Sequence, residues 1–277
     1  MKSMKELLEF GVINIDKPSG PTSFTVSEYV MKRLNLRKTS HMGTLDPAVS
    51  GVLPITLNRA CRLSAYLMKK NKTYVGIMRV HEDISDGNLK DEMKKFVGKI
   101  TQMPPVRSSV KRAEREREVY SFNLLEKEGK DVLFEASVEA GTYIRTIVHD
   151  LGKKIGGAHM LELRRTAAGI FSEEHSTNLY DFDKAVDAYE KGDESLLRQM
   201  IMPAEEVIKK VLPKMEIKKD RLKEILVGKP IHANDLKKEI KIEKGAIIAV
   251  FCGTRFIEIS RVVLEGDVVA VPEFVFN

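Results

Sequence analysis

The residues of this sequence that could do chemistry stand singly, at the ends of predicted secondary-structure elements. They are an amine, an imidazole, a carboxylate, a phenol and a guanidinium: Lys17, His41, Asp46, Tyr74 and Arg145. Side chains of these types supply nucleophiles, acids, bases and charge partners. Each one alone also has a simpler structural explanation, since Asp46-Pro47 can start a turn and Tyr74 can belong to the core of a strand. Single residues therefore assign no reaction.

Sequence motifs for the common cofactors and hydrolases are missing. The sequence has no glycine-rich dinucleotide or phosphate-binding loop, no zinc-peptidase helix motif and no nucleophile elbow. Its two cysteines, Cys61 and Cys252, have no partners at metal-ligand spacing. This excludes a disulfide scaffold and an ordinary zinc site, and it favours a reducing, cytoplasmic environment.

The elements that position the candidate residues can be predicted from local patterns. A strand at 11–16 ends at the turn 17–21, and a helix follows with Thr22 or Ser23 as its N-cap. The next segment, 37–47, is a polar loop that holds both the imidazole and the carboxylate. Regular elements therefore bracket the loop.

Further strands and a helix carry the other candidates. Tyr74 lies near the start of a strand predicted over 73–80, and apolar residues alternate with polar ones over 132–138, as in a half-buried strand. One face of a helix that begins near Arg145 is apolar: Ile144, Val148, Leu151 and Ile155. Strands and helices mix without regular βαβ alternation, which predicts an α+β fold on a mixed, mainly antiparallel sheet.

Length and composition favour two domains. The chain has 277 residues and a net charge of +6, from 46 Lys and Arg against 40 Asp and Glu, which permits a nucleic-acid partner. A boundary near Pro213 separates a larger domain, 11–211, from a small β-rich domain or barrel, 212–277. No stretch of 18 apolar residues and no signal peptide can be found, so no membrane association is expected.

Five motifs that occur in one order strengthen the functional interpretation of these single residues. They are Asp16-Lys-Pro-Ser-Gly-Pro-Thr-Ser23, His41-Met-Gly-Thr-Leu-Asp-Pro47, Lys72-Thr-Tyr74, Gly141-Thr-Tyr-Ile-Arg-Thr146 and Leu161-Glu-Leu-Arg-Arg-Thr166. This series resembles that of the TruB class of pseudouridine synthases. Within the class, Pro104-Pro-Val-Arg-Ser-Ser-Val-Lys-Arg112 and Gly157-Ala-His-Met160 resemble the dyskerin-type catalytic subunit of H/ACA ribonucleoproteins.

The resemblance implies an enzyme that isomerises a uridine in RNA by breaking its N-glycosidic bond and rejoining the uracil through C5. Carried over by position, Asp46 is the nucleophile toward the base or the sugar. Arg145 keeps that carboxylate ionised and oriented through a charge-assisted hydrogen bond. Tyr74 stacks on the flipped base and is a candidate for helping to remove the C5 proton.

The resemblance also implies residues that bind the substrate. Leu163 forms an apolar wall of the pocket, Lys17 supports the site from the end of a strand, and His41 contacts the surroundings of the flipped nucleotide. Three basic residues, Arg107, Lys111 and Arg112, belong to a loop that closes over the RNA and pairs with its phosphates.

The small C-terminal domain resembles a PUA domain, an RNA-binding β-barrel, with residues 1–10 expected to pack on it. The implied partners are a guide RNA, a target RNA (rRNA, possibly tRNA) and small proteins of the ribonucleoprotein. No metal or organic cofactor is expected, because the reaction is an isomerisation without net redox change.

Two alternatives remain open at the level of sequence. A guide-independent enzyme could find a tRNA loop by its shape. A non-catalytic RNA-binding scaffold of the same fold could use Asp46 only structurally.

Overall fold

The computed structural model describes residues 2–68, 70–103, 113–238 and 242–277. The chain divides into two compact units, Met1–Ile201 and Met202–Asn277. Among the described residues, no helix combines the length and the apolar character that a bilayer crossing requires.

The first unit is built on one large sheet. Its strands are β1 (Gly11–Lys17), β2 (Thr39–His41), β3 (Ser50–Leu57), β4 (Lys72–Val80), β5 (Gly98–Gln102), β6 (Arg115–Glu128), β7 (Asp131–Val138), β8 (Ala158–Ala168), β9 (Phe171–Ser172) and β10 (Thr177–Asn178). The order across the sheet is β10-β1-β3-β8-β4-β7-β6-β5. The pairs β1–β10 and β3–β8 are parallel and the others along this path are antiparallel, which confirms the predicted mixed, mainly antiparallel sheet.

Helices cover this sheet in two groups. The α-helices are α1 (Met4–Glu9), α2 (Ser23–Arg33), α3 (Ser64–Leu67), α4 (Asp86–Lys94), α5 (Ile144–Lys154), α6 (Leu179–Glu190) and α7 (Ser195–Met200), with 3₁₀ turns at Asn58–Leu63 and Glu173–His175. One core cluster packs α1, α2 and α6 against β1 and β3. Another packs α4 and α5 against β4, β6 and β7.

The local predictions near the candidate residues are confirmed in this unit. Thr22 is the N-cap of α2, and its side chain accepts a hydrogen bond from the backbone N–H of Thr25. The predicted strand at 132–138 is β7, whose apolar residues are buried in alternation. Burial with period two follows from the pleat, which points successive side chains to opposite faces.

Residues 1–10 contain α1, and its buried residues Met4 and Leu7 belong to the core of the first unit. The side chain of Ser3 caps this short helix reciprocally with Glu6. The expected packing of this segment on the C-terminal domain stays a prediction.

The second unit contains a smaller sheet. Its elements are α8 (Ala204–Val211), β12 (Lys214–Glu216), a 3₁₀ turn (Lys219–Arg221), α9 (Leu222–Ile225), β13 (Ile231–His232), a 3₁₀ turn (Ala233–Asp235), β14 (Ile247–Cys252), β15 (Arg255–Glu265) and β16 (Val268–Val275); β11 (Ile201–Pro203) lies at the division between units. The strand order is β12-β14-β15-β16-β13 around a core of its own. A small β-rich C-terminal domain is therefore confirmed.

The division between the units differs from the predicted limit of 211/212. The helix α8 belongs to the second unit, where the amine of Lys209 lies 5.6 Å from the centre of the Phe251 ring. Its amphipathic pattern predicts a helix but does not specify the sheet against which it packs. The functional limits 11–211 and 212–277 remain a prediction.

A buried carboxyl group lies in the core of the second unit. Glu258 on β15 has no exposed surface, and one of its oxygens accepts a hydrogen bond from the Ser260 hydroxyl at 2.6 Å. The other oxygen, Oε2, has no hydrogen-bond partner among the described residues. Burial raises the pKa of Glu258 to about 7, because the low-dielectric interior disfavours the charged form.

We expect this carboxyl to make the folded state less stable as the pH rises. The pKa of Glu258 is about 7 in the folded chain and near 4.5 in the unfolded chain, so the folded state binds more protons between these values. The free energy of unfolding should fall by about 2–3 kcal/mol between pH 5 and pH 8 through this group. Urea unfolding of wild type and Glu258→Gln at both pH values measures it. An equal pH dependence in the two proteins would contradict the assignment.

Candidate active site

The centre of the site is an ion pair between Asp46 and Arg145. Asp46 lies in the loop between β2 and β3, and Arg145 lies in the first turn of α5. The Arg145 Nη2 atom is 2.7 Å from the Asp46 Oδ2 atom, and both side chains are about half exposed. A charge-assisted hydrogen bond of this length fixes the direction of the carboxylate while leaving it open to a ligand. The structure thus joins two residues that lie far apart in the sequence.

The ammonium group of Lys17 binds backbone atoms of the turn after β1 and of the loop that carries Asp46. Lys17, at the end of β1, has no exposed surface, and its Nζ atom donates to the carbonyl oxygens of Pro18 (2.8 Å), Pro21 (2.8 Å) and Pro47 (3.1 Å). Burial lowers the pKa of Lys17, the charge of Arg165 lowers it further, and the Asp46 carboxylate opposes the shift.

These contacts change the role expected for Lys17. It was predicted among the substrate-binding residues, but its ammonium hydrogens are all used on backbone carbonyl oxygens. Lys17 therefore positions Pro47, the residue that follows Asp46, rather than contacting a substrate. Sequence alone does not show this, because the three carbonyl oxygens meet only when the turn and the loop pack together.

Ser23 fixes the backbone of Leu45, the residue that precedes Asp46. Its hydroxyl accepts a hydrogen bond from the backbone N–H of Leu45 (2.8 Å) and donates to the backbone oxygen of the same residue (3.0 Å). Both side chains are buried. With Lys17 on Pro47 and Ser23 on Leu45, the backbone is held on both sides of the carboxylate.

Arg165 is a functional candidate that sequence reasoning did not single out. It lies on β8 with 1% of its surface exposed, and it donates to the carbonyl oxygens of Val52 (2.8 Å) and Gly43 (3.0 Å). Tyr74 is the residue opposite it on β4, and the two side chains interact. Burial lowers the pKa of Arg165, and the interaction with Tyr74 opposes this shift. Arg165 therefore connects the Tyr74 side chain to the loop that carries Asp46.

The signal for Arg165 was present in the arginine pair of the last motif. Adjacent residues of a strand point to opposite faces of the sheet. Arg164 takes one face, where it pairs with Asp16 at 2.9 and 3.0 Å and with Glu173 at 2.8 Å. Its neighbour must then point to the other face and into the interior.

A third buried cation lies near the same loop. Lys72, at the start of β4, donates to the carbonyl oxygens of Met68 and Lys70. Burial, with a smaller contribution from the charge of Arg165, lowers the pKa of Lys72 to about 8. A side chain at Gly43, where φ is +96°, would lie 3.7 Å from Lys72 Cε and 3.5 Å from Arg165 Nη1. Glycine allows the left-handed backbone that brings the loop over these cations.

The remaining predicted residues lie around this centre. Tyr74 is 8% exposed, and Leu163 on β8 is partly buried and faces Gly76 on β4. His41 ends β2 with its Nε2 atom 3.2 Å from the Thr44 hydroxyl, and burial lowers its pKa, so its ring is neutral at pH 7. The other three, Arg107, Lys111 and Arg112, lie outside the described residues.

Two family models match this chain. The model described as TruB family pseudouridylate synthase (N terminal domain) matches residues 31–144. The model described as tRNA pseudouridylate synthase B C-terminal domain matches residues 145–209. The matched regions contain Asp46, Tyr74 and Arg145.

Similar proteins carry related names. A protein of Pyrococcus horikoshii named "Probable tRNA pseudouridine synthase B" is 44% identical over 250 residues, which cover 88% of this chain and 74% of that protein. A protein of the same name from Methanothermobacter thermautotrophicus is 47% identical over 200 residues, covering 72% of this chain and 62% of that protein.

Solved structures match the whole chain. A crystal structure of a Cbf5-Nop10-Gar1 complex has a chain with TM-score 0.92 and 38% identity, covering 100% of this chain and 88% of that chain. A structure of an H/ACA RNP bound to a substrate RNA containing 2'-deoxyuridine gives TM-score 0.90 and 36% identity, with coverage of 100% and 88%.

We expect Ser23→Ala to destabilise the first unit, because it leaves the buried backbone polar groups of Leu45 without their partner. The free energy of unfolding should fall by about 1–3 kcal/mol. Ser19→Ala is the matched control, since the Ser19 hydroxyl makes one exposed bond to Ala48 at 3.1 Å. Chemical unfolding of both variants checks this, and equal stabilities would show that the Leu45 contact does not hold the loop.

Proposed function

We propose that this chain, which belongs to the TruB family of pseudouridine synthases, is the catalytic subunit of an RNA-guided ribonucleoprotein. The chain is a pseudouridine synthase, an isomerase that converts uridine in RNA to pseudouridine. The guided role is supported by the likeness, over the full chain, to structures of a Cbf5-Nop10-Gar1 complex and of an H/ACA RNP with substrate RNA. The partners are then a guide RNA, a target RNA and small proteins.

The observation that carries the chemical part of the proposal is the Asp46–Arg145 pair. Asp46 is the nucleophile that attacks the base or the sugar of the target uridine. Arg145, at 2.7 Å, directs the Asp46 carboxylate, and about half of the carboxylate side chain stays open to the nucleotide. A carboxylate kept only for structure has no need of this exposure, which argues against the hypothesis of a scaffold without activity.

The flipped uracil is held by side chains of β4 and β8. Tyr74 stacks on the base, and its phenol, which interacts with Arg165, is the candidate for assisting removal of the C5 proton. Leu163 supplies an apolar wall. The neutral ring of His41 contacts the nucleotide from the β2 end of the loop. Lys17 acts through the loop, without touching the substrate.

The two parts of the chain have different roles, catalysis and binding of the guide RNA. Residues 11–211 form the catalytic domain, and residues 212–277 form a PUA-like domain that binds the guide RNA. Arg107, Lys111 and Arg112 pair with phosphates of the substrate, and the net charge of +6 supports an RNA partner. The two cysteines are free thiols, which fits a reducing cytoplasm.

A second candidate is a guide-independent enzyme that acts on tRNA. The printed names of the relatives, tRNA pseudouridine synthase B, favour it. The same active site would then receive a tRNA loop recognised by shape.

The two candidates predict different products in one assay. Release of tritium from C5-labelled uridine is measured in a target RNA with and without guide RNA and partner proteins, and in unmodified tRNA. We expect turnover of the target RNA only when the guide is present. Turnover of bare tRNA together with guide-dependent turnover of the target RNA would add a stand-alone activity to the guided one. Turnover of bare tRNA, with no turnover of the target RNA when the guide is present, would overturn the guided role and establish the second candidate.

The role of Asp46 is tested by removing its charge alone. We expect Asp46→Asn to bind target RNA as tightly as wild type but to form no measurable pseudouridine, because an amide is not a nucleophile at this carbon. Binding is followed by filter retention and product by tritium release, with Asp16→Asn as a carboxylate variant outside the ion pair. Undiminished turnover by Asp46→Asn would exclude this assignment.

A further inference from the structure

The start of α5 is held by a side chain from a distant strand. Gln102, the last residue of β5, is 4% exposed. Its Nε2 atom donates to the carbonyl oxygen of Tyr143 at 3.1 Å, and its Oε1 atom accepts from the backbone N–H of Tyr143 at 3.0 Å. The amide group of Gln102 thus binds both polar groups of one residue, which fixes the position and the direction of the backbone there.

Tyr143 is the residue at which the helix begins. It is the N-cap of α5, and its carbonyl oxygen also accepts from the backbone N–H groups of Thr146 (3.1 Å) and Ile147 (3.2 Å). The residues most common at this position have a short polar side chain that binds the first turn, which tyrosine lacks. Gln102 therefore provides, from another strand, a contact that fixes the start of the helix.

The segment that leads into α5 is also bound to the strand that pairs with β5. The backbone N–H of Glu139 donates to the Glu118 carbonyl oxygen at 2.8 Å, and the Glu118 N–H donates to the Glu139 carboxylate at 3.2 Å. A side chain at Gly141, where φ is +87°, would lie 3.4 Å from two nitrogen atoms of the Arg117 guanidinium. Arg117 and Glu118 belong to β6, which pairs with β5. The path from β7 to α5 is thus fixed by these two strands.

Arg145 lies two residues after Tyr143, in the first turn of α5. Among the described residues, its guanidinium has one ion-pair partner, the Asp46 carboxylate at 2.7 Å. The helix residues Ile144 and Ile147 are buried in the core that packs α4 and α5 against the sheet. The backbone at the start of α5 therefore sets where the guanidinium can reach. Because a hydrogen bond depends on distance and angle, a displacement of this turn would weaken the pair.

We propose that Gln102 is a positioning residue for catalysis, which holds the first turn of α5 so that Arg145 meets Asp46. Gln102 acts through the backbone and does not need to touch the substrate. A misplacement of about 1 Å in a preorganised site can lower the rate about 100-fold. The inference rests on the proposed function, because it takes the Asp46–Arg145 pair as the reacting centre.

The test is a double-mutant cycle in the full chain assembled with guide RNA and partner proteins. Gln102→Leu has nearly the shape of glutamine and removes both hydrogen bonds to Tyr143. We expect it to lower the single-turnover rate of pseudouridine formation about tenfold or more at saturating target RNA, with the Kd for that RNA unchanged. In an Arg145→Met background the same change should lower the rate less than about twofold, because the group through which Gln102 acts is already missing. Gln199→Leu is the control, since Gln199 on α7 is exposed.

A second variant, Gln102→Glu, keeps the length of the side chain. Its protonated carboxyl can donate to the Tyr143 carbonyl oxygen, whereas the ionised form has only acceptors. Burial raises the pKa of such a carboxyl toward the neutral range. We expect the ratio of its rate to the wild-type rate to be several-fold higher at about pH 6 than at about pH 8, because the missing hydrogen bond returns on protonation.

The outcomes separate the positioning role from the proposed function. Equal fold-losses for Gln102→Leu in the wild-type and Arg145→Met backgrounds would overturn the positioning role, since a residue that only stabilises the fold lowers both rates alike. A wild-type rate for Gln102→Leu would overturn it as well. Wild-type complex without turnover would overturn the proposed function, on which the inference rests. Thermal unfolding shows whether each variant is folded. If Gln102→Leu does not fold, Gln102→Glu decides, and a rate ratio that does not change with pH overturns the role.

Discussion

The geometry of the active site depends on buried cations that bind backbone carbonyl oxygens. Lys17 and Arg165 donate to the turn and the loop around Asp46, and Lys72 lies against the same loop. A buried ammonium or guanidinium is costly unless its hydrogens are satisfied, so these contacts specify one arrangement of the loop. The Asp46 carboxylate that emerges from this arrangement is about half exposed and is paired with Arg145.

The sheet provides these cations from strands that are far apart in the sequence. β1, β8 and β4 carry Lys17, Arg165 and Lys72. β8 lies between β3 and β4 in the sheet, and a side chain at Gly51 on β3 would lie 2.2 Å from the backbone oxygen of Arg165. Glycine at that position permits the close approach of the two strands. Packing between the strands thus determines where the Asp46 carboxylate lies.

Local patterns in the sequence predict much of the fold and the chemical groups of the site. The N-cap of α2 and the alternation of β7 depend on residues close in the chain, and both are confirmed. The contacts that position Asp46 depend on residues that lie far apart in the sequence. The carbonyl oxygens around Lys17 and the inward direction of Arg165 come from contacts that no local pattern encodes. For the same reason, local patterns do not show that α8 belongs to the second unit.

In the proposed mechanism, Arg145 serves catalysis by holding the Asp46 carboxylate. The single-turnover rate of pseudouridine formation at saturating target RNA, compared between wild type, Arg145→Lys and Arg145→Met, measures this role. We expect a loss of about 100-fold for Arg145→Met, as for removal of one preorganised charge partner. We expect an intermediate rate for Arg145→Lys, which keeps the charge but not the planar geometry. A wild-type rate for Arg145→Met would show that catalysis does not need the ion pair.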